Sequence, residues 1–136
     1  MPRIVGALIY LLLAIAGIFH FAHDSGLYMG LILVWALPVL AGQWAYAGNW
    51  IWAERKLWFW STIIPTIYLW IADRVALELG IWYIAEEYTT GWHLFGLPIE
   101  EATFFLVTNL LVTQGLFLFL HIGDPARKSA EPVAQV

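Results

Sequence analysis

The run Gly96-Leu97-Pro98-Ile99-Glu100-Glu101-Ala102-Thr103-Phe104-Phe105 sets two adjacent carboxylates at the mouth of a long apolar segment. Pro98 has a fixed φ and no N–H, so it suits the first position of a helix, and Glu100 and Glu101 then fall in that helix's first turn. Acidic side chains there complement the helix dipole by about 0.3–1 kcal/mol each, which is by itself a structural reason for the pair. The segment beyond decides the fold. It runs through Leu106, Val107, Leu110, Leu111, Val112 and Leu116 to Leu120 without a charged residue. A helix over 99–122, rising about 1.5 Å per residue, exceeds the roughly 30 Å of a bilayer's hydrocarbon core.

The whole composition points to lipid as the solvent. Of 136 residues, 62% are hydrophobic and 12% charged, with a mean hydropathy of +0.76. Soluble domains keep apolar residues to one stripe of each helix, whereas these segments are apolar all round. The expected fold is all-α: an integral membrane helical bundle of about four transmembrane helices with an interfacial aromatic-rich segment. The absence of cysteine rules out disulfides, thiolate nucleophiles and Cys-ligated metal sites. A net charge of -4 with no basic run argues against a nucleic-acid partner.

Four apolar runs divide the chain. Residues 4–21 form the first; its length and its His20-Phe21-Ala22-His23-Asp24 end suit a span rather than a cleaved signal peptide. Residues 27–46 form the second, with Pro38 inside it and Gly48-Asn49 breaking the pattern after it. Glu54-Arg55-Lys56 is a charged linker before the third run, 57–79, whose second half carries Asp73, Arg74 and Glu78. Ionisable groups at that depth cost about 2.5–3.5 kcal/mol each and ask for partners. Residues 80–97 mix Trp82, Tyr83, Tyr88, Trp92 and Phe95 with Glu86, Glu87, Thr89, Thr90 and His93, a blend that fits the headgroup region. The fourth run is 99–122. Residues 1–123 thus make one membrane domain, and 124–136 a disordered, cytoplasmic tail.

Arg3, Arg55, Lys56, Arg127 and Lys128 all fall on one side of a four-span arrangement. The positive-inside rule then puts both termini in the cytoplasm, in the cell membrane. The third span runs outward and the fourth inward, so Asp73, Glu78, Glu86, Glu87, Glu100 and Glu101 are all expected in the outer half of the membrane or at its outer surface. No dinucleotide fingerprint, phosphate-cradling lysine loop or His-Glu-x-x-His occurs. His20, His23, His93 and His121 show no ligand spacing, so no metal site is expected.

Burial in a low dielectric favours the neutral form of a carboxyl group, so one carboxyl can deliver a proton while an ionised neighbour removes one. Aromatic faces such as those of Trp58, Trp60, Trp70, Trp82, Phe104 and Phe105 stabilise cations by about 0.5–2 kcal/mol each. Acid, base, aromatic lining and lipid access together suit carbocation chemistry on an apolar isoprenoid. The structural readings stand beside this one: Asp73 with Arg74 as an ion pair, the loop aromatics as interface anchors, and Glu86 and Glu87 as a solvated face.

Leu69-Trp70-Ile71-Ala72-Asp73-Arg74, Gly80-Ile81-Trp82-Tyr83 with Tyr88-Thr89-Thr90-Gly91, and Leu97-Pro98-Ile99-Glu100-Glu101 with Phe104-Phe105 resemble the lycopene cyclase domain family. That family is the integral-membrane type of some bacteria and archaea and of fungal fusions with phytoene synthase. The resemblance is strongest over 58–120 and weaker back to Leu27. Thr108-Asn109-Leu110-Leu111-Val112-Thr113-Gln114-Gly115-Leu116 looks like the second, C-terminal repeat of the fused enzymes.

The resemblance implies cyclisation of the linear end groups of lycopene or a related carotenoid, with no net redox change and no cofactor. It carries acid/base roles to Glu100 and Glu101 and a second-carboxylate role to Asp73. It places Trp70, Trp82, Pro98, Phe104 and Phe105 against the substrate. The family's active unit contains two such domains and this sequence holds one motif, so a homologous second subunit is the expected partner. Thr108, Asn109, Thr113, Gln114 and Gly115 are helix-contact residues, toward that subunit or within the chain. The alternatives are a cyclase of C50 carotenoids, an end-group hydratase, a non-catalytic membrane scaffold subunit, or a proton-coupled carrier.

Overall fold

A computed structural model describes residues 2–20 and 26–123. They form four long helices, α1 (Pro2–His20), α2 (Leu27–Ala53), α3 (Arg55–Glu78) and α4 (Ile99–Gly123). Between α3 and α4 lie a 3-10 turn, Glu86–Tyr88, and a short antiparallel ladder of β1 (His93–Leu94) with β2 (Leu97–Pro98). The chain is an all-α membrane bundle. His23 and the expected tail over 124–136 fall outside the described residues.

Three helices, Pro2–His20, Leu27–Ala53 and Ile99–Ile122, are long and apolar enough to cross a membrane. Their outer faces carry Ile4, Leu12, Phe19, Val39, Val112 and Phe119, all exposed, as lipid requires. At 24 residues α3 has a comparable length, but Arg55, Lys56, Asp73, Arg74 and Glu78 make it the most polar of the four.

The helices pack in the order α1, α2, α4, α3, so α4 lies between two helices that are consecutive in sequence. Ala14, Ile32, Ala36, Leu37, Leu40 and Val107 form the core where α1, α2 and α4 meet. Close approach of α1 to α2 depends on missing side chains. A Cβ on Gly6 would collide with the Trp44 indole, and one on Gly48 would meet both Trp44 and the Arg3 backbone. Trp44 completes the contact by donating its Nε1–H to the Pro2 carbonyl at 2.7 Å. Gly48-Asn49 therefore does not end the second helix, which continues to Ala53. The glycine marks a close packing point, a use common between membrane helices.

The polar residues of α4 hold the bundle together from within. Asn109 donates to the Thr66 hydroxyl of α3 at 2.9 Å, and Gln114 donates to the Tyr10 hydroxyl of α1 at 2.9 Å. Gly115 faces Gln43 of α2, which in turn donates to the Leu111 carbonyl at 3.3 Å. Of the two readings of these residues, contact within the chain accounts for Asn109, Gln114 and Gly115.

Two chain reversals shape the segment above α3. Gly80, at φ +66, ends α3: its N–H reaches the Leu77 carbonyl and the N–H of Ile81 reaches that of Ala76. This is the paired pattern of a glycine-terminated helix. Phe95 and Gly96, at φ 51 and 79, then make the tight turn between β1 and β2, with the two positive φ values that match strand twist. The sequence reading treats 80–97 only as an interfacial stretch; the hairpin inside it is a new feature.

Candidate functional site

Glu100 and Glu101 occupy the first turn of α4. Pro98 closes β2 one residue before the helix instead of opening it, and the Ile99 N–H is taken by the Trp92 carbonyl at 2.9 Å. The hairpin thus feeds directly into the helix and fixes where its first turn points. Successive helical residues diverge by about 100°, and the two glutamates meet different elements. Glu100 is completely buried, and its Oε1 accepts from both the N–H and the hydroxyl of Thr90, at 2.6 and 2.7 Å. Glu101 turns toward α2, where the Tyr28 hydroxyl donates to its Oε1 at 2.8 Å.

Asp73 approaches from α3, 3% exposed. Trp82 donates its Nε1–H to Asp73 Oδ1 at 3.0 Å. Trp70, one turn back on α3, donates to the Ala102 carbonyl at 2.9 Å and so pins α3 against the head of α4. Arg74 does not pair with Asp73. Its guanidinium holds Glu78 at 2.6 Å and donates to the Phe95 carbonyl at 3.2 Å, bracing the hairpin. Consecutive positions on a helix face apart, so the next turn, Glu78, supplies the partner instead.

Asp73, Glu100 and Glu101 therefore gather at one end of the bundle, near enough for their charges to interact, with Tyr28 among them. Among the described residues none of the three is in an ion pair. Asp73 Oδ2 and Glu100 Oε2 are buried and have no hydrogen-bond partner. Each carboxyl is held through one oxygen, and in these two the second oxygen is spare.

Two apolar clefts adjoin this cluster. One, about 400 Å³, lies between α3 and the hairpin, lined by Ile67, Trp70, Ile71, Val75, Leu94, Phe95 and Leu97, with Arg74 as its one charged residue. The other, about 270 Å³, lies between α2 and the connecting segment, lined by Leu27, Tyr28, Leu31, Ile84, Ala85, Tyr88 and Thr89. Of the aromatic residues expected at the site, Trp70 and Trp82 contact it by hydrogen bonds. Phe104 packs onto the core of α1, α2 and α4, with Phe105 edge-on to it at 5.6 Å. Glu86 and Glu87 are exposed. His121 stacks on Trp50, and among the described residues no three acidic or histidine side chains gather as a metal site.

Sequence reasoning missed Tyr28 as a site residue. Nothing in its spacing distinguishes it, because its relation to Glu101 spans 73 positions. Thr90 lay within a quoted motif, yet only the fold shows that it grips Glu100.

Comparison with known proteins finds the chain 44% identical to a lycopene beta-cyclase of Halobacterium salinarum over 119 residues, covering 88% of this chain and 50% of that protein. It is 42% identical to a bifunctional lycopene cyclase/phytoene synthase of Podospora anserina, over 98% of this chain and 25% of that protein. It is 45% identical to the similarly named protein of Neurospora crassa, over 71% of this chain and 16% of that protein. The chain is homologous to these cyclases over most of its length, as its motifs suggest, and spans about half the length of the archaeal relative. No family model and no solved structure matches it.

Proposed function

We propose that this chain is a subunit of a membrane carotenoid cyclase acting on the linear end groups of lycopene or a closely related polyene. The observation that carries the reading is the pair of buried, unpartnered carboxylate oxygens on Asp73 and Glu100. They lie beside Glu101 in a bundle whose nearest clefts are apolar. Homology to proteins named lycopene cyclases supplies the substrate class.

In this reading Glu100 and Glu101 are the acid/base pair and Asp73 is the third carboxyl of their proton-sharing group. A carboxyl proton adds to the terminal C=C of the end group, leaving a tertiary cation. The neighbouring C=C attacks that cation and closes the ring. A carboxylate then removes a proton from the ring to form the new double bond, so the product is an isomer and no electrons are gained or lost. Trp70 and Trp82 offer π faces to the cation, and Pro98, Phe104 and Phe105 contact the rest of the substrate. No cofactor enters any step.

The four helices are read as four spans, with α3 made compatible with lipid by the Arg74–Glu78 pair and the burial of Asp73. Both termini face the cytoplasm by the distribution of Lys and Arg, which sets the carboxylate end near the outer surface of the cell membrane. The chain matches about half of the archaeal relative's length, and in this reading a homologous second cyclase subunit works beside it.

The test is expression in a lycopene-accumulating bacterium of this chain alone, with a homologous partner, and with Glu100→Gln or Glu101→Gln in the pair, followed by pigment chromatography. Cyclic product from the intact pair, lost in both variants, is the expected result. Undiminished product from both variants would move the chemistry to the partner and make this chain a scaffold.

A further inference from the structure

The cleft between α2 and the connecting segment meets the carboxylate cluster through a residue that holds it. Its wall includes Tyr28, and that residue's hydroxyl is also the donor to Glu101 Oε1 at 2.8 Å. The opposite wall carries Tyr88 and Thr89, directly before the Thr90 that holds Glu100. Glu101 is therefore anchored to the wall of this apolar hollow, and Glu100 to the residue next in sequence to that wall. At about 270 Å³ it is otherwise lined by Leu27, Leu31, Ile84 and Ala85. Ligand pockets ordinarily measure about 300–1,000 Å³, so this one takes part of a long molecule, not the whole.

We infer that this cleft is the subsite for the reacting end of an apolar isoprenoid, and that Tyr28 is a positioning residue that aims Glu101 into it. The inference rests on the cyclase reading above and deepens it. Tyr28 offers one hydroxyl to one carboxylate oxygen, so the other oxygen of Glu101 is outside that bond. The α3 cleft, larger and bounded by Trp70 and the hairpin, takes the adjoining part of the chain. The occupant is apolar because, apart from the Tyr28, Tyr88 and Thr89 hydroxyls, the lining side chains offer no polar group.

The test uses the intact complex of this chain with its homologous partner, purified in detergent, with lycopene binding followed by the shift in polyene absorption and turnover followed by chromatography. Leu31→Trp and Ile84→Trp fill the hollow from opposite walls, and each is expected to raise KM at least tenfold with kcat held within about threefold. Tyr28→Phe keeps the ring and removes the hydroxyl, and is expected to lower kcat at least tenfold with KM unchanged. Leu116→Trp, on the outer face of α4, controls for added bulk. Unchanged KM and binding in both cleft variants would overturn the subsite, and unchanged kcat in Tyr28→Phe would overturn the positioning role. A wild-type complex that neither binds nor converts the polyene would instead overturn the cyclase reading, and the subsite with it.

Discussion

Gln114 and Glu100 lie on the same helix, are both 0% exposed, and each keeps one buried side-chain oxygen without a partner. Burial and unused hydrogen-bonding capacity therefore do not separate them. What separates them is charge and the source of their donors. The amides in the middle of α4 are neutral and join span to span: Gln114 to α1 and Asn109 to α3. The carboxyls at its head, with Asp73 of α3 beside them, are ionisable and take donors from the connecting segment, Thr90 for Glu100 and Trp82 for Asp73, with only Glu101 gripped by another long helix. Neutral groups suffice to hold helices in lipid, where such bonds average about 0.6 kcal/mol. Ionisable groups cost several times more there and mark sites of chemistry.

Glu100→Gln tests that contrast most severely. The amide keeps the shape and an acceptor for Thr90, so assembly is expected to survive while cyclic product falls about 10²–10⁴-fold, as loss of an acid/base group does. A variant that retained product would put Glu100 with Gln114 among the structural residues. Asp73→Asn likewise keeps an acceptor for Trp82, and a loss of about ten- to a hundredfold, read in the same pigment assay, is expected for a group that shares protons without being one of the principal pair.

Gly96→Ala reaches the site only through the hairpin. A Cβ there would strike the Arg74 guanidinium at a φ of +79, a conformation costing about 1–2 kcal/mol for other residues. Faster proteolysis between α3 and α4 would report it. Gln114→Leu is expected to do least: product rate within about twofold, and a loss of roughly 0.6–1.7 kcal/mol against unfolding in SDS. A large drop in rate with stability intact would dissolve the distinction between the two polar sets.

Much of this was visible in the chain. The apolar runs fixed a helical membrane bundle, and Gly80 announced the end of α3 because few other residues adopt its positive φ without strain. Span direction put six carboxylates at one depth, and did not tell Asp73, Glu100 and Glu101 from Glu78, which pairs with Arg74, or from the exposed Glu86 and Glu87. What stayed hidden depends on contact and not on pattern. Gly48 reads as a break, yet it is where α1 presses against Trp44. The Phe95-Gly96 turn was obscured because Phe is rare at a positive φ. Helical divergence of neighbours spoke for a partner of Arg74 other than Asp73, and the structure names it as Glu78. Tyr28 carried no signal at all, since an aromatic at the start of an apolar helix is ordinary.

The packing order α1, α2, α4, α3 also bears on how the protein is made. When α3 leaves the ribosome, α2 offers it little surface beyond the Trp44–Trp58 ring contact. The acceptor for Trp70 and the amide that meets Thr66 both belong to a helix not yet synthesised. The most polar helix of the four is thus the one that must wait, and insertion of α4 both settles α3 and creates the carboxylate cluster. Assembly of the bundle and the meeting of its carboxyls are thus the same late step of folding.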